Sequence, residues 1–199
     1  MVYRLVYFDV KGRGEAIRLL FSAANVDFED VRVNPDEWKE IKDSTPTGLL
    51  PLLEVDDKKL PESDAILRYL ARKFKLEGSN ELEWAAADAI VCCIFDMLTK
   101  IPLVYRGKDE NEKNEAMEAM KTTDIPLGIK RISSLKELYG KGDYLVGYGL
   151  SYADIALYSV INIIHDFLQI EVELPENLKS LKKAVESNPG IADYLNKSK

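Results

Sequence analysis

Cysteine and histidine are scarce in this chain of 199 residues, which contains two cysteines, Cys92 and Cys93, and one histidine, His165. Neighbouring residues on a helix point about 100° apart, so these two cysteines are poorly placed to bridge each other, and no other cysteine is available. The lack of a disulfide framework predicts a reducing compartment, and we expect a cytoplasmic protein. His165 lies in an apolar helical stretch without a nearby ligand set, so we expect it to be a packing residue.

Positive charge is also in deficit. The chain has 27 lysines and arginines against 34 aspartates and glutamates, a formal net charge of -7. This sign repels phosphate backbones and anionic lipid, so we expect neither nucleic acid nor a membrane surface as a partner. No apolar run reaches the roughly 18 residues of a membrane span. Charged residues between Arg4 and Glu15 argue against the apolar region of a signal peptide.

Common motifs of metal and nucleophile chemistry are missing. The sequence has no HExxH, no Walker loop and no nucleophile elbow. It also lacks the CxxC pair on which thioredoxin chemistry depends. Any catalysis must therefore use another kind of group.

The first 77 residues alternate between strand and helix patterns. Strand-like segments lie at Tyr3 to Phe8, Phe28 to Val33, Leu50 to Val55 and near Leu60, and helical stripes follow Gly14 and Ser63. The order β-α-β and then β-β-α predicts a mixed sheet covered by helices. The polar stretch around Trp38 is interpreted as irregular.

After Gly78 the pattern becomes helical. Apolar residues hold helical spacing from Trp84 to Ile101, where Pro102 marks an end or a kink. Further helices are predicted through Met117 to Leu138 with Pro126 interrupting, from Ser151 onward, and over 178–186 and 190–195. The sequence therefore predicts two domains, 1–77 and 82–199, joined by a linker at 78–81.

The segment Tyr7-Phe8-Asp9-Val10-Lys11-Gly12-Arg13-Gly14-Glu15 carries candidate chemistry. A tyrosine ends a strand, a loop with glycines follows, and a helix begins. The positive end of that helix attracts anions, and a tyrosine hydroxyl there could donate a hydrogen bond to a bound thiolate. Tyr7 could instead merely pack, with Arg13 in a surface ion pair. This segment alone leaves both interpretations open.

The remaining motifs favour the functional interpretation of Tyr7, because together they resemble a known family. After Tyr7 and the Gly12-Arg13-Gly14-Glu15 run come, in order, Trp38, Lys42, Gly48-Leu49-Leu50-Pro51, Glu62-Ser63 and Gly149-Leu150-Ser151-Tyr152-Ala153-Asp154. In order and spacing this set resembles the sigma class of cytosolic glutathione transferases over essentially the whole chain. The resemblance implies a thioredoxin-like α/β first domain with a mixed four-stranded sheet and an all-α second domain. Ser151 and Asp154 would form a capping box at a helix start.

The resemblance also implies a glutathione site. Tyr7 would hold the glutathione sulfur as a thiolate, and Arg13 would support it electrostatically. Trp38 and Lys42 would bind the glycyl end, and Ser63 the γ-glutamyl carboxylate. The backbone of Leu50 would pair with the cysteinyl unit, given a cis bond to Pro51. The implied glutathione-binding residues are Tyr7, Phe8, Arg13, Trp38, Lys42, Gly48, Leu49, Leu50, Pro51, Glu62, Ser63 and Asp96.

Asp96 occupies the position at which, in the family, an acidic side chain contacts the amino group of glutathione bound to the neighbouring subunit. The resemblance therefore implies a homodimer. A solvated acid on a polar helix face is the other interpretation. The apolar neighbours Phe95 and Met97 favour the functional role.

Three departures from the family pattern bear on the site. Glu62 replaces the usual glutamine, which adds negative charge near the substrate carboxylate. Leu49 replaces a polar or basic residue. Vertebrate prostaglandin D synthases of this class hold a divalent metal between subunits with additional acids, and Cys92 and Phe95 occupy those positions here. We therefore expect no metal.

The predicted function is a homodimeric glutathione transferase that joins the thiolate to hydrophobic electrophiles, a detoxification reaction. The same thiolate could serve prostaglandin H to D isomerisation. Candidates for the electrophile pocket, each of which could equally be core, are Phe8, Leu98, Leu103 and Tyr152. The alternative is a crystallin-like structural or ligand-binding protein with little activity; the retained Tyr7 and the short loop before Ser151 favour the enzyme. A glutathione-dependent redox protein would need cysteine or serine where this chain has Tyr7.

Overall fold

The computed structural model describes residues 2–197, which form two compact units. The first unit runs to Leu76 and includes the segment that begins at Glu186, and the second is Glu77–Val185. The last helix belongs to the first unit because it packs against the first helix of the chain. The segment from Glu186 thus groups with the first unit by its contacts, whereas the sequence-based division places it in 82–199. The division into domains 1–77 and 82–199 stays a prediction.

The first unit is a mixed sheet with helices. Its elements are β1 (Tyr3–Phe8), α1 (Glu15–Ala23), β2 (Glu29–Val33), α2 (Pro35–Ile41), β3 (Leu52–Val55), β4 (Lys58–Pro61) and α3 (Ser63–Phe74). The strand order is β2-β1-β3-β4. β1 is parallel to β2, and the β1–β3 and β3–β4 pairs are antiparallel, with Leu5 opposite Leu53. The predicted mixed four-stranded sheet is confirmed.

The alternation of side chains along β1 assigns them to two faces. Successive residues of a strand point to opposite sides of the sheet. Tyr3 and Tyr7 therefore share one face, and the Tyr3 ring contacts Phe21 of α1 and Phe74 of α3. Phe8 points to the other face, where Trp38 of α2 packs against it. Both faces of β1 are thus covered by helices.

The helix α2 differs from the sequence prediction. The stretch around Trp38 was interpreted as irregular, which was wrong: it forms a helix capped by Asn34. The Asn34 side chain accepts from two backbone N–H groups, and Glu37 reaches back to the Asn34 backbone, a capping box. No residue of α2 is buried, so it lacks the apolar stripe from which helices are predicted.

The second unit is helical, as predicted. It contains α4 (Glu81–Asp96), α5 (Ile101–Arg106), α6 (Glu110–Ala119), α7 (Ile125–Tyr139), α8 (Tyr152–Leu168) and α9 (Leu181–Glu186), and the first unit ends with α10 (Pro189–Lys197). Pro102 and Pro126 lie in the first turns of α5 and α7, where a missing N–H is tolerated. A single π-helical turn, Met120–Asp124, joins α6 to α7.

His165 is not a packing residue, so that prediction was wrong. Its side chain is 51% exposed, with Nδ1 3.2 Å from Asp166 and Nε2 3.1 Å from Glu171. The reason is local: the apolar stripe of α8 does not continue through positions 165–167, which face solvent near the end of the helix.

The start of α8 is built around a buried carboxylate. Asp154 accepts from the Ser151 backbone N–H at 2.9 Å, from the Ser151 hydroxyl at 2.6 Å and from the Leu145 backbone N–H at 2.8 Å. The predicted capping box of Ser151 and Asp154 is confirmed. Burial raises the pKa of Asp154 to about 6, against the opposing effects of these hydrogen bonds and of the Lys136 charge.

The raised pKa predicts a pH dependence of stability. The carboxyl titrates near ~3.9 in an unfolded chain, so between that pH and its folded pKa of about 6 the folded protein binds the proton more tightly. Stability therefore falls as pH rises through this window, by up to about 1.4 kcal/mol per unit. We expect the stability advantage of the wild type over Asp154→Asn to shrink by about 2 kcal/mol between about pH 4 and about pH 6. Urea unfolding of both proteins measures it; an advantage that grows with pH would contradict the assignment.

Candidate active site

The first unit places a buried tyrosine hydroxyl beside the start of a helix. Tyr7, near the end of β1, is 8% exposed. Its hydroxyl oxygen accepts a hydrogen bond from the backbone N–H of Arg13 at 3.0 Å. Arg13 belongs to the 3-10 turn Gly12–Gly14 that leads directly into α1. The hydroxyl therefore lies where helix N–H groups favour negative charge.

Two glycines make this approach possible. A Cβ atom on Gly12 would lie 2.6 Å from the Tyr7 hydroxyl oxygen, and one on Gly14 would lie 2.6 Å from Cδ1 of the ring. Gly12 also has a φ of 40°, a conformation that other residues rarely adopt. Any side chain at either position would displace the tyrosine, which explains the Gly12-Arg13-Gly14 run.

The surroundings of Tyr7 act on its pKa in opposite directions. Burial raises the pKa of Tyr7 above the ordinary value of a phenol, and this effect is the largest. The Arg13 backbone hydrogen bond lowers it, as do the charges of Arg13 and Arg18. Because the net shift is upward, Tyr7 carries its proton at neutral pH and can act as a hydrogen-bond donor.

The Arg13 side chain connects Tyr7's turn to the start of α3. Its Nη1 donates to Ser63 Oγ at 3.3 Å and lies 4.0 Å from the Asp64 carboxylate. Ser63 is buried and is the first residue of α3. The structure thus brings together Tyr7, Arg13 and Ser63, three of the predicted site residues, at two helix N-termini.

An aromatic row extends from Tyr7 across the end of β1. The rings of Tyr7 and Phe8 are 5.7 Å apart, and those of Phe8 and Trp38 are 5.9 Å apart, both edge-to-face. Trp38 is half-buried on α2. Four of the predicted residues, Tyr7, Phe8, Arg13 and Ser63, are therefore linked to a fifth, Trp38, by direct contacts.

Lys42 and the Gly48–Pro51 loop follow α2. Lys42 is exposed, and its Cε lies close to Gly48, which has a φ of 66°. Leu49 is exposed, and Leu50 is half-buried with Phe8 and Trp38 nearby in one apolar cluster. The Leu50–Pro51 bond is cis, as expected.

Glu62 has unusual backbone geometry immediately before Ser63. Its φ is 72° and its ψ is 117°, in a region that residues other than glycine rarely occupy. Such conformations cost about 1–3 kcal/mol and cluster at functional sites. The Glu62 side chain is exposed. The conformation falls at a position that the resemblance already assigns to the glutathione site, although the sequence does not signal the positive φ.

The remaining predicted residues lie in the second unit. Asp96 ends α4 with a 67% exposed side chain, 4.0 Å from Arg131. Of the electrophile-pocket candidates there, Leu103 is exposed. Leu98 and Tyr152 are buried, and the Tyr152 hydroxyl donates to Asp88. These two side chains therefore pack in the core.

Sequence reasoning missed one charged residue next to Tyr7. Arg18 of α1 has 0% exposure, and its guanidinium carbon lies 5.8 Å from the centroid of the Tyr7 ring. It pairs with Glu15 at 3.2 Å and with Asp30 at 3.0 Å. The spacing of Glu15 and Arg18, three residues apart, was the available signal.

Two features are absent from residues 2–197. No group of three or more His, Cys, Asp or Glu side chains within that range is arranged to hold a metal ion. No helix in the same range is both long and apolar enough to cross a bilayer.

Similarity to known proteins extends over both units. Residues 3–72 match the family model of the glutathione S-transferase N-terminal domain, and residues 95–198 match that of the C-terminal domain. Glutathione S-transferase 1 of Ascaris suum is 34% identical over 197 residues, 96% of each chain. S-crystallin SL11 of Nototodarus sloanii is 30% identical over 98% of this chain and 96% of its own. The structure of prostaglandin synthase D of Nilaparvata lugens has a TM-score of 0.89 at 32% identity, covering 100% of this chain and 99% of that one.

Proposed function

Because the chain belongs to the glutathione S-transferase family, we propose that it joins the thiolate of glutathione to hydrophobic electrophiles. The observation that carries this proposal is the buried Tyr7 hydroxyl, which accepts from the Arg13 backbone N–H at 3.0 Å. Because the hydroxyl oxygen accepts this bond, the O–H of Tyr7 points in another direction, where it can donate a hydrogen bond to a bound sulfur. A preorganised donor of this kind favours the charged form of the thiol.

The chemical step is attack by that thiolate. A free thiol has a pKa near ~8.5, so at neutral pH only a few per cent is ionised. Each unit by which the site lowers that pKa corresponds to about 1.4 kcal/mol of preferential thiolate stabilisation. Tyr7 supplies a hydrogen bond to the sulfur, and Arg13 keeps the surroundings cationic. The protein also holds the two reactants together, which removes entropy from the barrier.

We assign the glutathione-binding roles along the first unit. Lys42, exposed beside Gly48, pairs its ammonium with the glycyl carboxylate, and Trp38 flanks it. Ser63, already held by Arg13, presents its backbone N–H at the start of α3 to the γ-glutamyl carboxylate. The Leu50 backbone pairs with the cysteinyl unit. The other proposed contacts are Phe8, Leu49, Pro51 and Glu62.

The electrophile and the assembly are further parts of the proposal. An apolar pocket accepts many electrophiles, and prostaglandin H to D isomerisation would use the same thiolate. We propose a cytoplasmic homodimer without a metal, in which Asp96 reaches the glutathione of the neighbouring subunit. The exposed Asp96 side chain supports its availability for that contact.

Lys42→Ala tests the glutathione site. We expect the KM for glutathione to rise about tenfold, as for loss of one charge-assisted contact, with kcat changed less than about twofold. The assay is glutathione conjugation to chlorodinitrobenzene over a range of glutathione concentrations. The matched control is Lys39→Ala, because Lys39 is an exposed lysine of α2, three residues before Lys42, that pairs with Asp36; it should leave the KM unchanged.

The wild-type protein decides between the proposal and its alternative. Conjugation that depends on glutathione supports the transferase. Binding of glutathione without conjugation of any tested electrophile would favour the crystallin-like alternative, to which the S-crystallin similarity points. Failure to bind glutathione would overturn the proposal, and Glu62→Gln would then show whether the added carboxylate is responsible.

A further inference from the structure

Arg18 is a fully buried cation held between two carboxylates. Its Nε donates to Asp30 Oδ1 at 3.0 Å, and its Nη1 donates to Glu15 Oε2 at 3.2 Å. A buried guanidinium requires such partners, because an unpaired charge in the interior is strongly unfavourable. The pairing explains how Arg18 is accommodated in the core, but Asp30 and Glu15 use only part of its five donors.

The remaining contacts of Arg18 go to the loop between β1 and the Gly12–Gly14 turn. Its Nη1 donates to the carbonyl oxygens of Val10 at 3.0 Å and Lys11 at 3.4 Å, and its Nη2 to that of Phe8 at 3.5 Å. Arg13, whose N–H reaches the Tyr7 hydroxyl, comes two residues after Lys11. One guanidinium therefore fastens the loop that positions the N–H contacting Tyr7.

The far side of this arrangement is held by α10. The Tyr194 hydroxyl contacts both carboxylate oxygens of Glu15, at 3.1 and 3.2 Å. Glu15 is buried, so its orientation depends on these neighbours. Tyr194 is 179 residues from Glu15 in sequence. A continuous series of contacts thus runs from Tyr194 through Glu15 and Arg18 to the loop.

We propose that Tyr194, Glu15 and Arg18 are positioning residues that fix the loop after β1, so that the Arg13 N–H and the Tyr7 hydroxyl stay aligned toward the bound thiolate. The inference rests on the proposed glutathione chemistry. None of the three residues touches the sulfur; they act through Tyr7. The guanidinium fork is central, because lysine would keep the charge but could not bond Asp30, Glu15 and three carbonyls together.

The first test uses Tyr194→Phe, which removes the hydroxyl and leaves the aromatic ring of residue 194 in place on α10. We expect kcat for conjugation to fall about threefold and the apparent pKa of the bound thiol to rise, with the KM for glutathione changed less than about twofold. The matched control is Tyr148→Phe, since Tyr148 is an exposed tyrosine of the second unit. An unchanged pH profile in Tyr194→Phe, with only a lowered Tm, would overturn the proposal.

The second test uses Arg18→Lys, alone and combined with Tyr7→Phe. In the wild-type background we expect a fall of about tenfold in kcat; in the Tyr7→Phe background we expect less than about a twofold further change, because Arg18 acts through Tyr7. Equal losses in both backgrounds would overturn the inference. Arg72→Lys, an exposed arginine of α3, is the control.

The outcomes separate this inference from the proposed function. If the wild type shows no glutathione-dependent conjugation, the proposed function itself fails. The other case is an active wild type with an impaired Tyr7→Phe. In that case only the positioning role fails if Tyr194→Phe keeps the wild-type pH profile or if Arg18→Lys costs the same in both Tyr7 backgrounds. Should Arg18→Lys not fold, Tyr194→Phe decides the matter alone.

Discussion

Replacing Tyr7 with phenylalanine is expected to lower kcat for glutathione conjugation by at least about tenfold at neutral pH, or about 1.4 kcal/mol of transition-state stabilisation. The substitution removes the hydroxyl and keeps the ring, which packs against Phe8 and against the glycines of the following turn. The apparent pKa of the bound thiol should rise by one unit or more, because its ionised form loses a donor. The KM for glutathione should change little, since the proposed contacts to its glycyl and γ-glutamyl ends lie elsewhere.

The measurement is a pH–rate profile together with an ultraviolet titration of the bound thiolate. Tyr3→Phe is the matched control: Tyr3 is a buried tyrosine of the same strand on the same face, and its ring contacts are with Phe21 and Phe74. It should leave the thiol pKa unchanged. If Tyr7→Phe keeps more than half of the wild-type kcat while the wild type is active, another group must stabilise the thiolate.

Asp154→Ala is expected to reduce the free energy of unfolding by about 4 kcal/mol at neutral pH. It removes the acceptor for the backbone N–H groups of Leu145 and Ser151 and for the Ser151 hydroxyl, all buried. Each buried donor left without a partner costs about 1–3 kcal/mol. It also leaves Lys136, a buried lysine whose pKa is lowered mainly by burial, without the favourable charge of Asp154.

Chemical denaturation of the wild type and Asp154→Ala measures this loss. The control is Asp109→Ala, because Asp109 caps the exposed helix α6 through a single bond to the Glu112 N–H at 2.9 Å. An exposed cap is worth about 1 kcal/mol. If Asp154→Ala is no more destabilising than Asp109→Ala, the buried carboxylate does not anchor the start of α8 as described.

Structural features that depend on residues close together in the sequence could be predicted. The capping box of Ser151 and Asp154 needs two residues three positions apart, and Pro126 restricts the backbone at its own position. Both predictions agree with the structure. The helix α2 carried an equally local signal in Asn34-Pro35-Asp36-Glu37, but without a buried face it offered no apolar periodicity to support it.

Features that depend on distant residues were not accessible in the same way. Arg18 lies in the apolar stripe of α1, where Glu15 is its one local partner. Its second partner, Asp30, and the Tyr194 hydroxyl that contacts Glu15 are brought near only by the fold. The Tyr7 site was proposed from the resemblance, since the strand-turn-helix segment alone left simple packing open. The exposure of His165 depends on where the buried face of α8 ends, which its local sequence does not mark.

The packing of α10 on α1 has a consequence for the order of events during biosynthesis. Gly190 lies so close to the Ser22 carbonyl that a Cβ atom there would overlap it, and Asn188 donates to the Ala23 carbonyl. A nascent polypeptide that has left the ribosome only as far as Leu76 has its sheet residues but lacks this helix. Domains usually fold in the order in which they emerge. Here the unit whose residues are translated first can complete its packing only after the ribosome has delivered the residues beyond Glu186.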